Sequence, residues 1–349
     1  MLQNIAETFG HLFGPLRLFS SHLFLASFAG AFCAAAAFWV LPRCWNRLPR
    51  DQGRAHAIGA QGSIGKPMGA GVLFVPLLAV VTLLVVPLEW PYLTVVACML
   101  LSMIVGYFDD RKQGGFGEYT LGAFDLVVSL VAALAVCQWV SVDIWLPFVK
   151  NPISTDPWLF VSLGTVLVWG TINSTNATDG VDGLSGSLST VALVFLGVIL
   201  YAVVGHEPIA AYLLVPHYTA AANWSLMAFT MVGCLAAYLW YNASPSLVLM
   251  GDAGSRPVGL LLGVLVLASG NPFLIFVVAG VVLVNGGTGL LKVALKRFFG
   301  IPTFRNIRYP LHDHVRERLG WSNTQVLVRF MLLQVVGAAL LLAMLLKLR

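Results

Sequence analysis

Long apolar runs dominate the chain, interrupted at intervals by prolines and short polar clusters. A bilayer core takes about 20 apolar residues per helix, and on that measure the runs at 23–41, 69–88, 91–107, 121–141, 157–172, 184–204, 224–243, 257–270, 273–292 and 326–346 predict ten spans. The breaks coincide with Pro87, Glu89, Trp90 and Pro91, with Asn151 and Pro152, with His206, Glu207 and Pro208, and with Asn271 and Pro272. The runs lack the short alternation of a membrane β-barrel, so the segments are helices. The expected fold class is an all-α polytopic membrane protein of about ten transmembrane helices. Residues 1–349 form one integral membrane domain in this reading.

Composition agrees and excludes other classes. Of 349 residues, 58% are hydrophobic and 10% charged, with mean hydropathy +0.86. An ordinary globular domain is about 25% charged, so a water-facing surface cannot be assembled here. A soluble domain, a disordered tail and a nucleic-acid binder are set aside, although the net charge is +5. The opening residues are polar and nearly uncharged, and the first apolar run leads into more membrane, so no signal peptide is expected. The five cysteines, Cys33, Cys44, Cys98, Cys137 and Cys234, form no CxxC pair and read as small apolar residues.

The positions of the 20 Lys and Arg residues orient the chain. Connections after odd-numbered spans carry 15 of them: Arg43, Arg47, Arg50, Arg54, Lys66, Arg111, Lys112, Arg256, Lys292, Lys296, Arg297, Arg305, Arg308, Arg316 and Arg318. The opposite side has Arg17, Lys150, Lys347 and Arg349, and Arg329 lies within the last span. Those odd-to-even connections are therefore expected in the cytoplasm, at 42–68, 108–120, 173–183, 244–256 and 293–325, with both termini on the extracytoplasmic side.

The same parity gathers four polar motifs on the cytoplasmic face: GYFDDRKQ (106–113), NSTNATDGVDG (173–183), MGDAGSR (250–256) and RYPLHDH (308–314). Adjacent carboxylates such as Asp109 and Asp110 repel at a membrane boundary, and a divalent cation with hard oxygen ligands relieves that cost. A solvated acidic loop end beside Arg111 and Lys112 is the plain alternative. Asp179 and Asp182 stand three apart, each followed by a glycine that allows close backbone approach, and a helix cap is the competing explanation. Asp252 lies between glycines before a new helix, where backbone N–H groups attract phosphate. An ordinary glycine turn would look the same. His312 and His314 suit phosphate binding or proton transfer, without a third ligand at zinc spacing. Lys66, in GSIGKPMG (62–69), is phosphate-friendly but has no P-loop spacing. Together the motifs offer carboxylates, histidines and cations to one aqueous face, a set suited to clamping a pyrophosphate with a metal.

The quartet FDD, NATDGVDG, MGDAGS and PLHDH, in this order on ten spans, resembles the polyprenyl-phosphate N-acetylhexosamine-1-phosphate transferase superfamily. The stretch 310–330, with Gly320, Trp321, Val328, Arg329 and Phe330 in place, is similar to the branch that transfers phospho-N-acetylmuramoyl-pentapeptide. The resemblance implies Mg²⁺-dependent transfer from UDP-MurNAc-pentapeptide to undecaprenyl phosphate, giving lipid I and UMP in peptidoglycan synthesis. It implies a multi-pass protein of the bacterial inner membrane with a cytoplasmic active site, and a homodimer is carried as a candidate assembly. By motif match, Asp252 would coordinate Mg²⁺ and Asp109 and Asp110 would serve the phosphoryl transfer. Asn173, Asn176, Asp179, Asp182 and Asn242 would line the site, with Lys66, Lys112, His312 and His314 toward substrate. Direct attack by the lipid phosphate is preferred over a covalent enzyme intermediate, because an anionic acceptor needs little beyond charge screening. The sequence departs from the family pattern at Gln113, Leu249, Asp313 and the stretch 65–71.

Three other readings stand beside this one, among them an inactive paralogue that only binds polyprenyl phosphate, weakened by retention of the metal-site acids. The same chemistry on UDP-N-acetylglucosamine would start a different surface glycan. A secondary transporter would place its coupling acids near the bilayer midplane, often between inverted repeats, whereas the clustered acids here lie at span ends.

Overall fold

The computed structural model describes residues 1–53, 62–137, 142–146, 149 and 151–347. Arg54, Lys150 and Arg349, three of the charges used for orientation, lie outside the described residues. About 74% of the chain is helical. Among the described residues the helices are α1 (Leu2–Phe9), α2 (His22–Cys44), α3 (Gly71–Val85), α4 (Trp90–Arg111), α5 (Glu118–Val136), α6 (Pro157–Thr178), α7 (Leu184–Val198), α8 (Glu207–Tyr212), α9 (Ala221–Asn242), α10 (Asp252–Ala268), α11 (Leu274–Val278), α12 (Gly280–Val282), α13 (Thr288–Phe299), α14 (Leu311–Leu319) and α15 (Asn323–Lys347). A two-stranded antiparallel ribbon, β1 (Val142–Ile144) with β2 (Ile153–Thr155), is a small addition to the all-α expectation.

Among the described residues each apolar run falls largely on helix, and six helical segments there are long and apolar enough to cross a membrane: His22–Arg47, Trp90–Arg111, Glu118–Val136, Leu184–Val204, Ala221–Asn242 and Asn323–Leu346. The other runs differ for visible reasons. Helix α3 has 15 residues and stops two before Pro87, which cannot continue it. Helix α6 carries Asn173, Asn176 and four threonines. The run at 273–292 is broken into α11, α12 and a wide π-helical turn, Leu283–Gly287, before α13.

Helix α10 explains the architecture. Its 17 residues are apolar nearly all round, and those from Asp252 to Leu267 are all buried, the pattern of a helix enclosed by protein. It packs on α6, α4, α3, α7, α9 and α5. Small residues let backbones touch without lipid-driven collapse: a Cβ on Gly259 would come within 2.7 Å of the Ile172 Cα on α6, and one on Gly106 of α4 would run into the α10 backbone at Asp252. The N-terminus of α10 is thereby set beside the C-termini of α4 and α6.

The segments 173–183 and 244–256, expected as loops, are partly helical: α6 continues through Thr178, and α10 begins at Asp252. Polar side chains persist inside these helices because the protein, rather than lipid, surrounds them.

Candidate active site

The site is built where three helix ends converge. Asp109 and Asp110 close α4, and Asp252 opens α10, after Gly251 turns the chain at φ +67°. One carboxylate oxygen from each of the three lies within 4.8 Å of the others.

Asp110 is the structural member. Its Oδ1 accepts from the Asp252 N–H at 2.9 Å and its Oδ2 from the Ala253 N–H at 3.1 Å. A carboxylate of one helix thus caps another, satisfying two of the N–H groups a helix start leaves without partners and meeting its positive dipole end. A Cβ on Gly251 would strike this carboxylate, so glycine serves there both the positive φ and the close approach. Asp252 is gripped at both oxygens: Oδ1 accepts from Asn176 Nδ2 at 2.8 Å, and Oδ2 from Arg256 Nε and Nη2 at 2.9 and 2.8 Å. Asn176 also donates to Ser255 Oγ at 3.0 Å. Asp109 is more exposed, and its Oδ1 accepts from the Phe116 N–H at 2.6 Å, tying down the loop after α4. Lys112 packs its ammonium 4.6 Å from the Phe116 ring centroid beside it.

Three carboxylates this close repel strongly, and two of them are buried. A divalent cation that prefers oxygen ligands fits the donor set. Each carboxylate oxygen has two lone pairs, so one that accepts a hydrogen bond can also face a cation.

Next to the cluster lies a cleft of about 320 Å³, lined by Asp51, Ser63, Lys66, Asp179, Asp182, Asn242, Ser244, Leu249, Gly251, Arg316 and Asn323 among others. Its walls are held by a short chain of polar contacts. Lys66 Nζ donates to Ser246 Oγ at 2.9 Å, which donates to Asp182 Oδ1 at 2.8 Å. Asn242 clamps two turns, accepting from Gly183 N–H and donating to the Val248 carbonyl, both at 2.7 Å. Asp179 is the residue just past α6, and Gly183, at φ +77°, precedes α7.

Not all expected residues meet the cleft. Asn173 donates to the Trp169 carbonyl at 2.9 Å and lies against Asp125, one turn away from the cluster. His314 accepts from the Arg308 N–H at 3.3 Å. His312 is 2% exposed. Its N–H donates to Asn285 Oδ1 at 2.8 Å, its ring Nδ1 sits 3.1 Å from Asn285 Nδ2, and Asn285 Nδ2 reaches Thr178 Oγ1 at 3.1 Å. Instead of offering a ring to solvent, His312 docks α14 onto the π turn and the end of α6.

Burial, with Arg316 nearby, pushes the His312 imidazole down to about 3 from an ordinary value of 6.5. The unfolded chain therefore binds a proton that the native chain excludes. The stability of this docking is complete above about pH 6.5 and falls as pH drops toward 3, by at most about 1.4 kcal/mol per pH unit. Melting temperatures of the purified protein measured from about pH 7.5 to 4.5 should decline, and His312→Gln should flatten that decline. An unchanged slope in the variant would remove His312 as its source. The neighbouring Asp313 carboxyl is raised by burial, against the lowering effect of Arg316, which it pairs with at 3.2 Å.

Asp125, Arg256, Ser246, Asn285 and Thr178 join the site without standing out in its motifs. A lone acid inside an apolar run, as Asp125 is, is the one available signal. Charge counting places Arg256 as a solvated loop cation, but it is 4% exposed and lies four residues after Asp252 in the helix.

The sequence profile of the family described as Glycosyl transferase family 4 matches residues 92–270. The chain is 47% identical over 346 residues to a phospho-N-acetylmuramoyl-pentapeptide-transferase of Treponema pallidum (strain Nichols), covering 97% of this chain and 94% of that protein. It is 32% identical to the protein of that name from Maricaulis maris (strain MCS10), over 86% of this chain and 87% of the relative. For the Wolinella succinogenes protein of that name the identity is 28%, over 89% and 91%.

Proposed function

This chain belongs to the phospho-N-acetylmuramoyl-pentapeptide-transferase family, and from that premise we propose that it transfers phospho-MurNAc-pentapeptide from UDP-MurNAc-pentapeptide to undecaprenyl phosphate, forming lipid I and UMP at the three-carboxylate cluster. The observation that carries the site is the convergence of Asp109, Asp110 and Asp252 within 4.8 Å, beside a cleft with its own cations.

Mg²⁺ is the ion that suits the all-oxygen donor set; Asp252, with Asp109 and Asp110, would hold it, and it would screen the pyrophosphate charge and polarise its oxygens. The residues supply the rest. Lys66 and Arg316 give the cleft positive charge for the donor's phosphates, and Asp179, Asp182 and Asn242 shape the wall against which the donor lies. Asn176 orients Asp252, and Asp110 fixes the helix start that presents it. An oxygen of the lipid phosphate attacks the sugar-bearing phosphorus of the donor. The bond from that phosphorus to the bridging oxygen breaks, and UMP leaves with the electron pair. Lys112, close in sequence to Asp109, would meet the incoming lipid phosphate. His312 acts by docking α14, which brings Arg316 to the cleft.

The lysine and arginine distribution supports ten spans with both termini outside, and a site facing the cytoplasm at the inner membrane. The motif-bearing helix ends lie together, while the ribbon, the Tyr218–Asp143 contact and the Trp145–Ser269 contact mark the other end of the bundle.

Purified protein in detergent with undecaprenyl phosphate and Mg²⁺ should release UMP from UDP-MurNAc-pentapeptide and not from UDP-N-acetylglucosamine. Release only with the second donor would overturn the donor assignment, and silence with both would overturn the activity.

A further inference from the structure

Two buried charges stand behind the carboxylate cluster, and the reaction as written above does not use them. Asp125 lies about two turns into α5 and is 0% exposed; Arg256 lies in the first turns of α10 and is 4% exposed. The guanidinium is divided between two acids. Its Nε and Nη2 both donate to Oδ2 of Asp252, at 2.9 and 2.8 Å, while Nη1 donates to Oδ2 of Asp125. Asn176 holds the remaining oxygen of Asp252 at 2.8 Å, so the plane of that carboxylate is fixed from both sides.

Packing alone gives no reason for this pair. Removing an ion pair from water is costly for each ion before the mutual attraction is counted, and apolar residues of like volume often do as well. The surrounding helix is otherwise apolar and enclosed. What distinguishes the location is contact with a cluster acid, and groups bonded to a metal's ligands set both the orientation and the donor strength of those ligands.

Charge arithmetic gives the direction of the effect. Asp109, Asp110 and Asp252 together carry three negative charges when ionised, and Arg256 brings one positive charge onto Asp252. Asp125 draws part of that positive charge away. Were Asp125 uncharged, the guanidinium would turn wholly on Asp252 and leave it a poorer ligand. We propose that Asp125 and Arg256 are positioning residues for the cluster: Arg256 holds the Asp252 carboxylate in plane, and Asp125 offsets the guanidinium so that Asp252 remains a strong ligand for a divalent cation. The proposal rests on the reading of the cluster as a divalent-cation site.

The test uses full-length purified protein and Mn²⁺ as the probe, with free Mn²⁺ followed by electron paramagnetic resonance in the absence of substrate. Asp125→Asn keeps the shape and removes the charge. It should raise the Mn²⁺ Kd about tenfold, the lower end of the 10–100-fold effect of such outer partners. The metal concentration for half-maximal UMP release should rise in parallel, while turnover at saturating metal falls by less. The double variant Asp125→Leu with Arg256→Met removes both charges. It should bring the Mn²⁺ Kd back to within about threefold of the parent, yet lower turnover at saturating metal about tenfold, because the carboxylate is no longer held.

A lowered melting temperature with an unchanged Mn²⁺ Kd in Asp125→Asn would make the pair purely structural and overturn the proposal. If Asp125→Asn does not fold, the double variant decides: parent-like Kd and parent-like turnover together would overturn it. Mn²⁺ binding by the parent without UMP release would remove the transferase reading while leaving the positioning role open to the same measurement. Failure of the parent to bind Mn²⁺ would remove the cation site and the proposal with it.

Discussion

Asp252→Asn abolishes UMP release, by about 10³-fold or more, and leaves the protein folded. The loss is large because the substitution removes a negative ligand from a preorganised cluster, and a single electrostatic group of that kind is worth about 10²–10³ in rate before any weakened cation binding is added. The fold survives for reasons visible around the residue. Asp110 caps α10 through the backbone N–H groups of residues 252 and 253, which the substitution does not touch. Arg256 keeps Asp125 as its partner, so no buried charge is stranded. An asparagine Oδ1 can accept from Arg256 in place of the carboxylate Oδ2, at the cost of the bond from Asn176. The check is UMP release measured beside the melting temperature in the same detergent. A rate within about tenfold of the parent would remove Asp252 from the reaction.

The parts of this site that could be read in the sequence are those whose chemistry is dense along the chain. Asp109 with Asp110, and Asp252 between glycines, stand out because a membrane boundary makes unneeded carboxylates costly. The apolar runs are equally legible, since a bilayer demands about 20 apolar residues of any helix that crosses it. That rule says nothing of how α10 is surrounded: at 17 residues it is near the lower limit for crossing a bilayer, and other helices enclose it. It also misplaces the end of α6: Asn173, Asn176 and Thr178 look like loop residues, but their polar groups find partners in Trp169, Asp252 and Ser174, so the helix continues. Arg256 is hidden by charge counting, which treats every arginine near a span as a marker of sidedness. Asp125 is hidden by its apolar neighbours. His312 shows a further gap: a histidine pair in a basic stretch suggests a phosphate ligand, and only the packing against Asn285 and the α6 end reveals a buried neutral ring. Pairings between residues more than a hundred positions apart, such as Asp110 with the start of α10, cannot be seen in local spacing.

The two adjacent aspartates should separate in the second experiment, because the fold uses them differently. Asp110→Ala removes both acceptors from the start of α10, leaving the N–H groups of Asp252 and Ala253 buried without them. Leaving a buried donor unsatisfied costs about 1–3 kcal/mol, and the lost interaction with the helix dipole adds about 0.3–1 kcal/mol. This variant should lose about 2 kcal/mol or more of stability together with nearly all turnover, since the helix start that presents Asp252 is no longer fixed. Asp109→Ala faces partial solvent and gives up its bond from the Phe116 N–H, which water can replace. Its stability should stay within about 1 kcal/mol of the parent, while UMP release falls about 10²-fold or more as one acid leaves the cluster. Denaturation and rate measured on both proteins decide the matter. Equal stability losses would mean that Asp110 is not the cap, and an active Asp109→Ala would confine the chemistry to Asp110 and Asp252.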